Sequence, residues 1–221
     1  IATSTPDSNT DKNVGTDTLV VLFADPDVDV GVIPSGVPGA TVTTTLSLTN
    51  NGSATTSITV TVSINGSLTT VVATLAPGAT QTLTLTVPVT ATGATVSASI
   101  TASSVPDSNL GNNTDTSVSS ALFADLTSSV DLPVNAAAGS VVTVTATFTN
   151  SATGATATTA TSATGTVVLS DGTTQTFALG DLAPGASATR SFTATVHSST
   201  ATTLMRTTST VATSTTESNT A

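Results

Sequence analysis

Apolar and hydroxyl-bearing residues alternate one for one along most of this chain. In TQTLTLTV, Leu83, Leu85 and Val87 fall on one side and Thr82, Thr84 and Thr86 on the other. SITVTVSI places Ile58, Val60, Val62 and Ile64 together, and VVTVTATFT does the same with Val142, Val144, Ala146 and Phe148. A period of two marks a half-buried β-strand, and no stretch carries the 3.6 period of a helix. Turn signals separate the runs: PSGVPG at Pro34–Gly39, NNGS at Asn50–Ser53, INGS at Ile64–Ser67, APG at Ala76–Gly78 and GNN at Gly111–Asn113. The pattern predicts strands near 27–33, 40–50, 55–64, 68–75, 79–88, 94–103 and 114–122. Such spacing fits an antiparallel sandwich of about seven strands.

The list then repeats. PDSN at Pro6 returns at Pro106 and LFAD at Leu22 returns at Leu122, an offset of 122 − 22 = 100. LTN at Leu48 returns as FTN at Phe148. LAPGA slips to 182 − 75 = 107, so the second unit gains seven residues within 151–170, where a loop absorbs them. The expected organisation is all-β: two tandem immunoglobulin-like antiparallel sandwiches, at 24–123 and 124–221, preceded by a strand segment at 1–23.

The two ends complicate that division. VATSTTESNT at Val211–Thr220 echoes IATSTPDSNT at Ile1–Thr10. Val14, Gly15, Thr16, Asp17, Thr18, Leu19, Val20, Val21, Leu22 and Phe23 match the first unit's seventh strand, TDTSVSSALF, whereas the second unit is expected to lack its final strand within this sequence. A sandwich without an edge strand exposes backbone donors, acceptors and core. Two fillings are expected. In one, the sequence is a window on a long covalent array; in the other, residues 1–23 insert into the next copy as a donor strand. Either joins copies head to tail.

Composition narrows the function classes. Of 221 residues, 38% are hydrophobic and 7% charged, so hydroxyls, not charges, cover the outward faces. Thirteen acidic against three basic residues give a net charge of −10, which argues against nucleic acid and anionic lipid as partners. Cysteine is absent, so disulfides and thiolate metal sites are excluded. The apolar run LVVLFA is far short of the roughly 20 residues of a membrane helix.

Several motifs together carry a family resemblance: Ala24–Asp25 before a turn, the TVTxxxxxTN strand of Thr41–Asn50, LAPGA at Leu75–Ala79 ahead of TxTxTV, and PDSNxGNNTDT at Pro106–Thr116. They resemble the CARDB family, the cell-adhesion-related domain of bacteria, and the tandem immunoglobulin-like repeats of prokaryotic surface proteins. That resemblance implies an extracellular, cell-surface or adhesive role. The second unit departs from it, ending ESNTA with no NNT strand and carrying a longer loop after Asn150.

Candidate chemistry is sparse. The one histidine, His197, has outward parity beside Thr193 and Thr195, and no nucleophile elbow is present, so no enzyme is expected. Asp171 and Asp181 lie in turns, where Asp caps its own backbone. Lys12 is the sole lysine, which excludes an isopeptide staple in each unit. Arg190 takes the inward parity of Leu83, from an exposed strand start or by reaching an acid or a neighbouring domain. Carboxylates and amide oxygens suit calcium. The candidate ligands are Asp25, Asp27 and Asp29 on one strand face, Asp7, Asn9 and Asp11, and the repeat of that pattern at Asp107, Asn109, Asn112 and Asp115; the competing reading is Asx turns and edge charges that deter aggregation. Sequons at Asn51, Asn65 and Asn112 could carry glycans. The expected function is a structural repeat or subunit of an extracellular filament, stalk or matrix fibre, whose partners are its own copies or flanking repeats. The alternative is an adhesin module that binds a surface glycan or protein; the lack of Trp and Tyr counts against it.

Overall fold

The computed structural model describes residues 5, 14–196 and 207–218, with the side chains of 207–209 left aside. In chain order the strands are β1 (Pro26–Val30), β2 (Thr41–Asn50), β3 (Thr56–Ile64), β4 (Ser67–Leu75), β5 (Thr80–Pro88), β6 (Ala94–Ser103), β7 (Thr114–Ser119), β8 (Leu126–Asp131), β9 (Val141–Asn150), β10 (Ala160–Leu169), β11 (Thr174–Leu182), β12 (Ser187–Thr195) and β13 (Thr207–Ala212). A single 3-10 turn at Leu110–Asn112 is the helical content of the described residues.

The first seven strands make two antiparallel sheets, β1-β2-β5 and β4-β3-β6-β7. Alternation decides their faces: Leu46, Leu48, Ile58, Val60, Val62, Val87 and Val96 are all essentially buried, while the threonines between them are half-buried or exposed. Both sheets contribute to one apolar cluster, the core of an immunoglobulin-like sandwich. The hairpin joining β3 and β4 turns on Asn65 (φ 50°) and Gly66 (φ 86°), the left-handed pair that an Asn-Gly type I′ turn requires.

β8-β9-β12 and β11-β10-β13 repeat the arrangement around a second cluster. Strand registers correspond: Val30 faces Leu46 as Val130 faces Ala146, and Thr56 faces Leu75 as Ala160 faces Leu182. β10 carries register shifts between Ala160 and Thr164, with Ser162 at φ 52°, so part of the extra length of the second unit is taken up within the strand as well as in the loop before it.

The recurring Asn of LTN and FTN is a structural clamp. Asn50, fully buried, accepts from the N–H groups of Asp25 and Gly52 through Oδ1 and donates through Nδ2 to the carbonyls of Ala54 and Leu75. Asn150 binds Asp125, Ala152, Thr158 and Leu182 in the same way. Their backbone carbonyls also accept from Gly78 and Gly185 at 2.7 Å, which docks each LAPGA turn. Four satisfied side-chain bonds on one buried amide explain why the two motifs travel together.

Candidate functional site

The two sandwiches differ at one edge. β6 in the first is flanked on one side by β3 and on the other by β7, paired from Ala94–Ser119 to Ser99–Thr114. Its equivalent, β13, pairs with β10 on one side, and no described strand lies on the other. β13 therefore presents an edge among the described residues, with the unpaired backbone groups that such an edge implies.

The segment that matches β7 in sequence lies open. Val14, Leu19, Val20 and Val21 are at least 75% exposed, and residues 14–22 belong to no described strand. Anchoring begins at Phe23, whose carbonyl accepts from the N–H groups of Ser53 and Ala54. Gly52 allows that approach, since a Cβ there would meet Phe23 O and the Ala24 backbone within 2.6 Å. Ala24 then bridges to Pro106 and Ser108. The second unit repeats this anchoring: Phe123 bonds to Thr156 and Thr158, and Ala124 to Thr216 and Ser218.

At the outer edge of the first sandwich, β7 is fixed to β1 by a side chain. Asp115 Oδ2 accepts the Val30 N–H at 2.7 Å. Its neighbours are acidic. Burial first, then Asp29, Asp25 and Asp115, hold the Asp27 carboxyl above its ordinary value. Glu217, which takes the place of Asp107 in the bridge to Ala124, is also raised, by burial and then by Asp125.

The candidate calcium ligands are dispersed over different partners. Asp25 accepts from Asn112 Nδ2 at 3.0 Å, and Asp107 accepts from the Asn109 N–H and from Asn113 Nδ2. Asn109 caps the 3-10 turn through Gly111. Asp27 and Asp29 stay on the outward face of β1. Asp7, Asn9 and Asp11, like Lys12 and His197, lie outside the described residues. No group of three or more His, Cys, Asp or Glu side chains gathers for a metal among the described residues. The Oδ1 atoms of Asn112 and Asn113 are nonetheless buried without a donor.

The sequons differ in the same concrete way. Asn65 spends its amide on Pro88 O and its carbonyl on the Thr95 N–H, and the Asn112 amide is held by Asp25. Asn51 is exposed, with only its backbone N–H engaged, on Asp25 O. Arg190 is half-buried and, among the described residues, donates to the carbonyls of Thr189 and Ala178, with no acid beside it there. Parity alone overlooked backbone carbonyls as partners. It also overlooked Asn50 and Asn150, whose recurrence at an offset of 100 was the available signal.

No protein-family model matches the chain, and no curated protein matches it. Among solved structures it is similar to the CARDB domain of a Pyrococcus furiosus protein, crystallised in complex with di-metal ions. Identity is 25% over 48% of this chain and 95% of that one, with a TM-score of 0.41. The chain is also similar to red sea bream transglutaminase, at 12% identity and a TM-score of 0.37, spanning 90% of this chain and 30% of the enzyme. No helix among the described residues is long and apolar enough to cross a membrane.

Proposed function

We propose that this chain is a structural, non-enzymatic repeat or subunit of an extracellular filament, stalk or matrix fibre. The observation that carries the reading is the pairing of an open edge with an unused strand: among the described residues β13 lacks the neighbour that β6 has, and residues 14–23, which match the position of that neighbour in the repeat, are exposed. Edge complementation between copies covers both the backbone groups and the apolar side chains. An edge at one end and a strand at the other form a heterologous contact, which propagates as a line. Covalent continuity into a further repeat and insertion of residues 1–23 from a separate copy generate the same junction.

The low charge and dense hydroxyl surface suit a durable extracellular material with few sites for basic-specific proteases. The reading needs no cofactor. If calcium binds, the oxygens without a donor are the Oδ1 atoms of Asn112 and Asn113, beside the carboxylates of Asp25 and Asp107, and melting with and without chelator tests it.

Electron microscopy of the purified chain, beside a chain lacking residues 1–23, tests the reading. Filaments from the first and dispersed particles from the second are the expected result. Dispersed particles from both that bind immobilised sugars would replace it with the adhesin reading.

A further inference from the structure

We propose that residues 14–23 of a second copy dock on β13 in a register set by Asp17, whose carboxylate takes on the Val130 N–H the place that Asp115 takes on the Val30 N–H. This rests on the assembly reading above and adds to it the pairing and the anchoring residue.

The acceptor is needed because of strand register. Gly31 N donates to Thr45 O at 2.9 Å, so in the preceding pair, Val30 and Leu46, the Val30 N–H is turned away from β2 and meets Asp115. β8 and β9 pair in the same register, with Val130 against Ala146. The Val130 N–H is thus turned outward, and no side chain among the described residues accepts it.

The sequence supplies a matching carboxylate. Thr16-Asp17-Thr18 repeats Thr114-Asp115-Thr116 at an offset of 98, while Leu22–Asp25 repeats Leu122–Asp125 at an offset of 100. Two registers therefore compete. One keeps the Asp anchor and leaves 22 − 17 = 5 steps to the LFAD segment; the other keeps the 122 − 115 = 7 steps and puts Gly15 where Asp115 stands.

Charge and volume support the anchored register. In the first unit Asp115 joins Asp29 and Asp25 in acting unfavourably on the Asp27 carboxylate. In the second unit the positions of Asp27 and Asp29 are held by Thr127 and Ser129, so a carboxylate arriving there meets two hydroxyls in place of two like charges, while Asp125 keeps the place of Asp25 and Asp131 takes that of Gly31. Four positions of the second core are smaller, Ser128 for Val28, Ala146 for Leu46, Ala163 for Ile58 and Ala194 for Val87, while Phe148, Phe177 and Phe192 stand for Leu48, Val71 and Leu85. In β7 the half-buried positions are Asp115, Ser117 and Ser119. The docked segment would turn Asp17, Leu19 and Val21 to that side, replacing two serines by two large apolar residues beside the second core.

The pairs follow from the first sandwich. Asp115 faces Ala98 and Thr116 faces Ser97, and β13 places Ser209 and Thr208 at those positions. Asp17 then faces Ser209, and Thr18 faces Thr208. In the competing register Thr16 faces Thr208. The native chain has no cysteine, so two variants separate the registers: Thr18→Cys with Thr208→Cys, and Thr16→Cys with Thr208→Cys. Leu19→Cys with Thr207→Cys samples the alternate hydrogen-bonding parity of the anchored register. Directly opposed residues meet the Cα spacing of a disulfide, and a two-residue slip does not.

Mild oxidation of each full-length variant is read on non-reducing gels. A disulfide ladder from the Thr18/Thr208 or Leu19/Thr207 pair, at least tenfold faster than from Thr16/Thr208 and slowed by adding Asp17→Asn, is the expected result. A ladder mainly from Thr16/Thr208 overturns the Asp17 register while leaving edge docking intact. No ladder from any pair overturns the docking itself.

Discussion

Asp115 and Val30 stand 85 residues apart, and the 2.7 Å bond between the Asp115 carboxylate and the Val30 N–H ties the last strand of the first sandwich to its first. Replacing Asp115 with Ala leaves that N–H without its acceptor and should cost at most about 1.5–3 kcal/mol, the usual worth of a bond to a charged group. Chemical denaturation, with the first unit followed separately, checks it. Loss of repulsion toward Asp27 offsets part of the effect, so Asp115→Asn should cost less than Asp115→Ala.

Asp27 gives a prediction in pH. Its folded-state carboxyl is held above 3.8 by burial and by Asp29, Asp25 and Asp115. The folded protein therefore binds more protons than the unfolded one between 3.8 and the raised value, and the contribution of this group to stability falls as pH rises through that window. Asp27→Asn should raise the melting temperature at pH 7, and the gain over wild type should vanish below 3.8. Paired melting curves across that range test the sign.

Removing a clamp should be severe. Asn50→Ala and Asn150→Ala each strip four hydrogen bonds from a fully buried site and strand buried backbone groups. A loss of roughly 3 kcal/mol or more is expected in the affected unit. Asn→Asp at either position should be nearly as damaging, because a carboxylate cannot donate to the two carbonyls. Urea titration of each variant reads the loss.

Phe148 fills the second core where Leu48 fills the first, and Gly165 takes the position of Val60. A Cβ on Gly165 would collide with Cζ, Cε1 and Cε2 of the Phe148 ring. Gly165→Ala should therefore cost about 1–3 kcal/mol by overpacking. Phe148→Leu should rescue most of it, so a double-mutant cycle should show strong favourable coupling. Additive effects would show that the ring and the glycine do not share the space.

Local features of this fold were legible in the sequence because their causes are local. Alternation of Thr with Val, Leu and Ile placed each first-unit strand within a few residues of its observed limits, and the Asn65-Gly66 dipeptide specified its turn. Relations between distant residues were not legible. The partner of Asp115 depends on how two sheet edges meet, and the Phe148–Gly165 exchange depends on which strands face across the core. Arg190 shows the limit of parity: its position pointed inward, yet a long side chain reached the Ala178 carbonyl. Of the candidate site, the match between residues 14–23 and β7 could be read from the repeat. The open edge of β13 required the sheet order.

Amide hydrogen exchange along β13 tests the central claim most directly. In assembled material, amides of Thr207–Ala212 that do not pair with β10 should be strongly protected; they should exchange quickly in a chain lacking residues 1–23 and regain protection when a peptide spanning residues 14–25 is added. Equal exchange in all three samples would contradict the account, because the edge would then have no partner in residues 14–23.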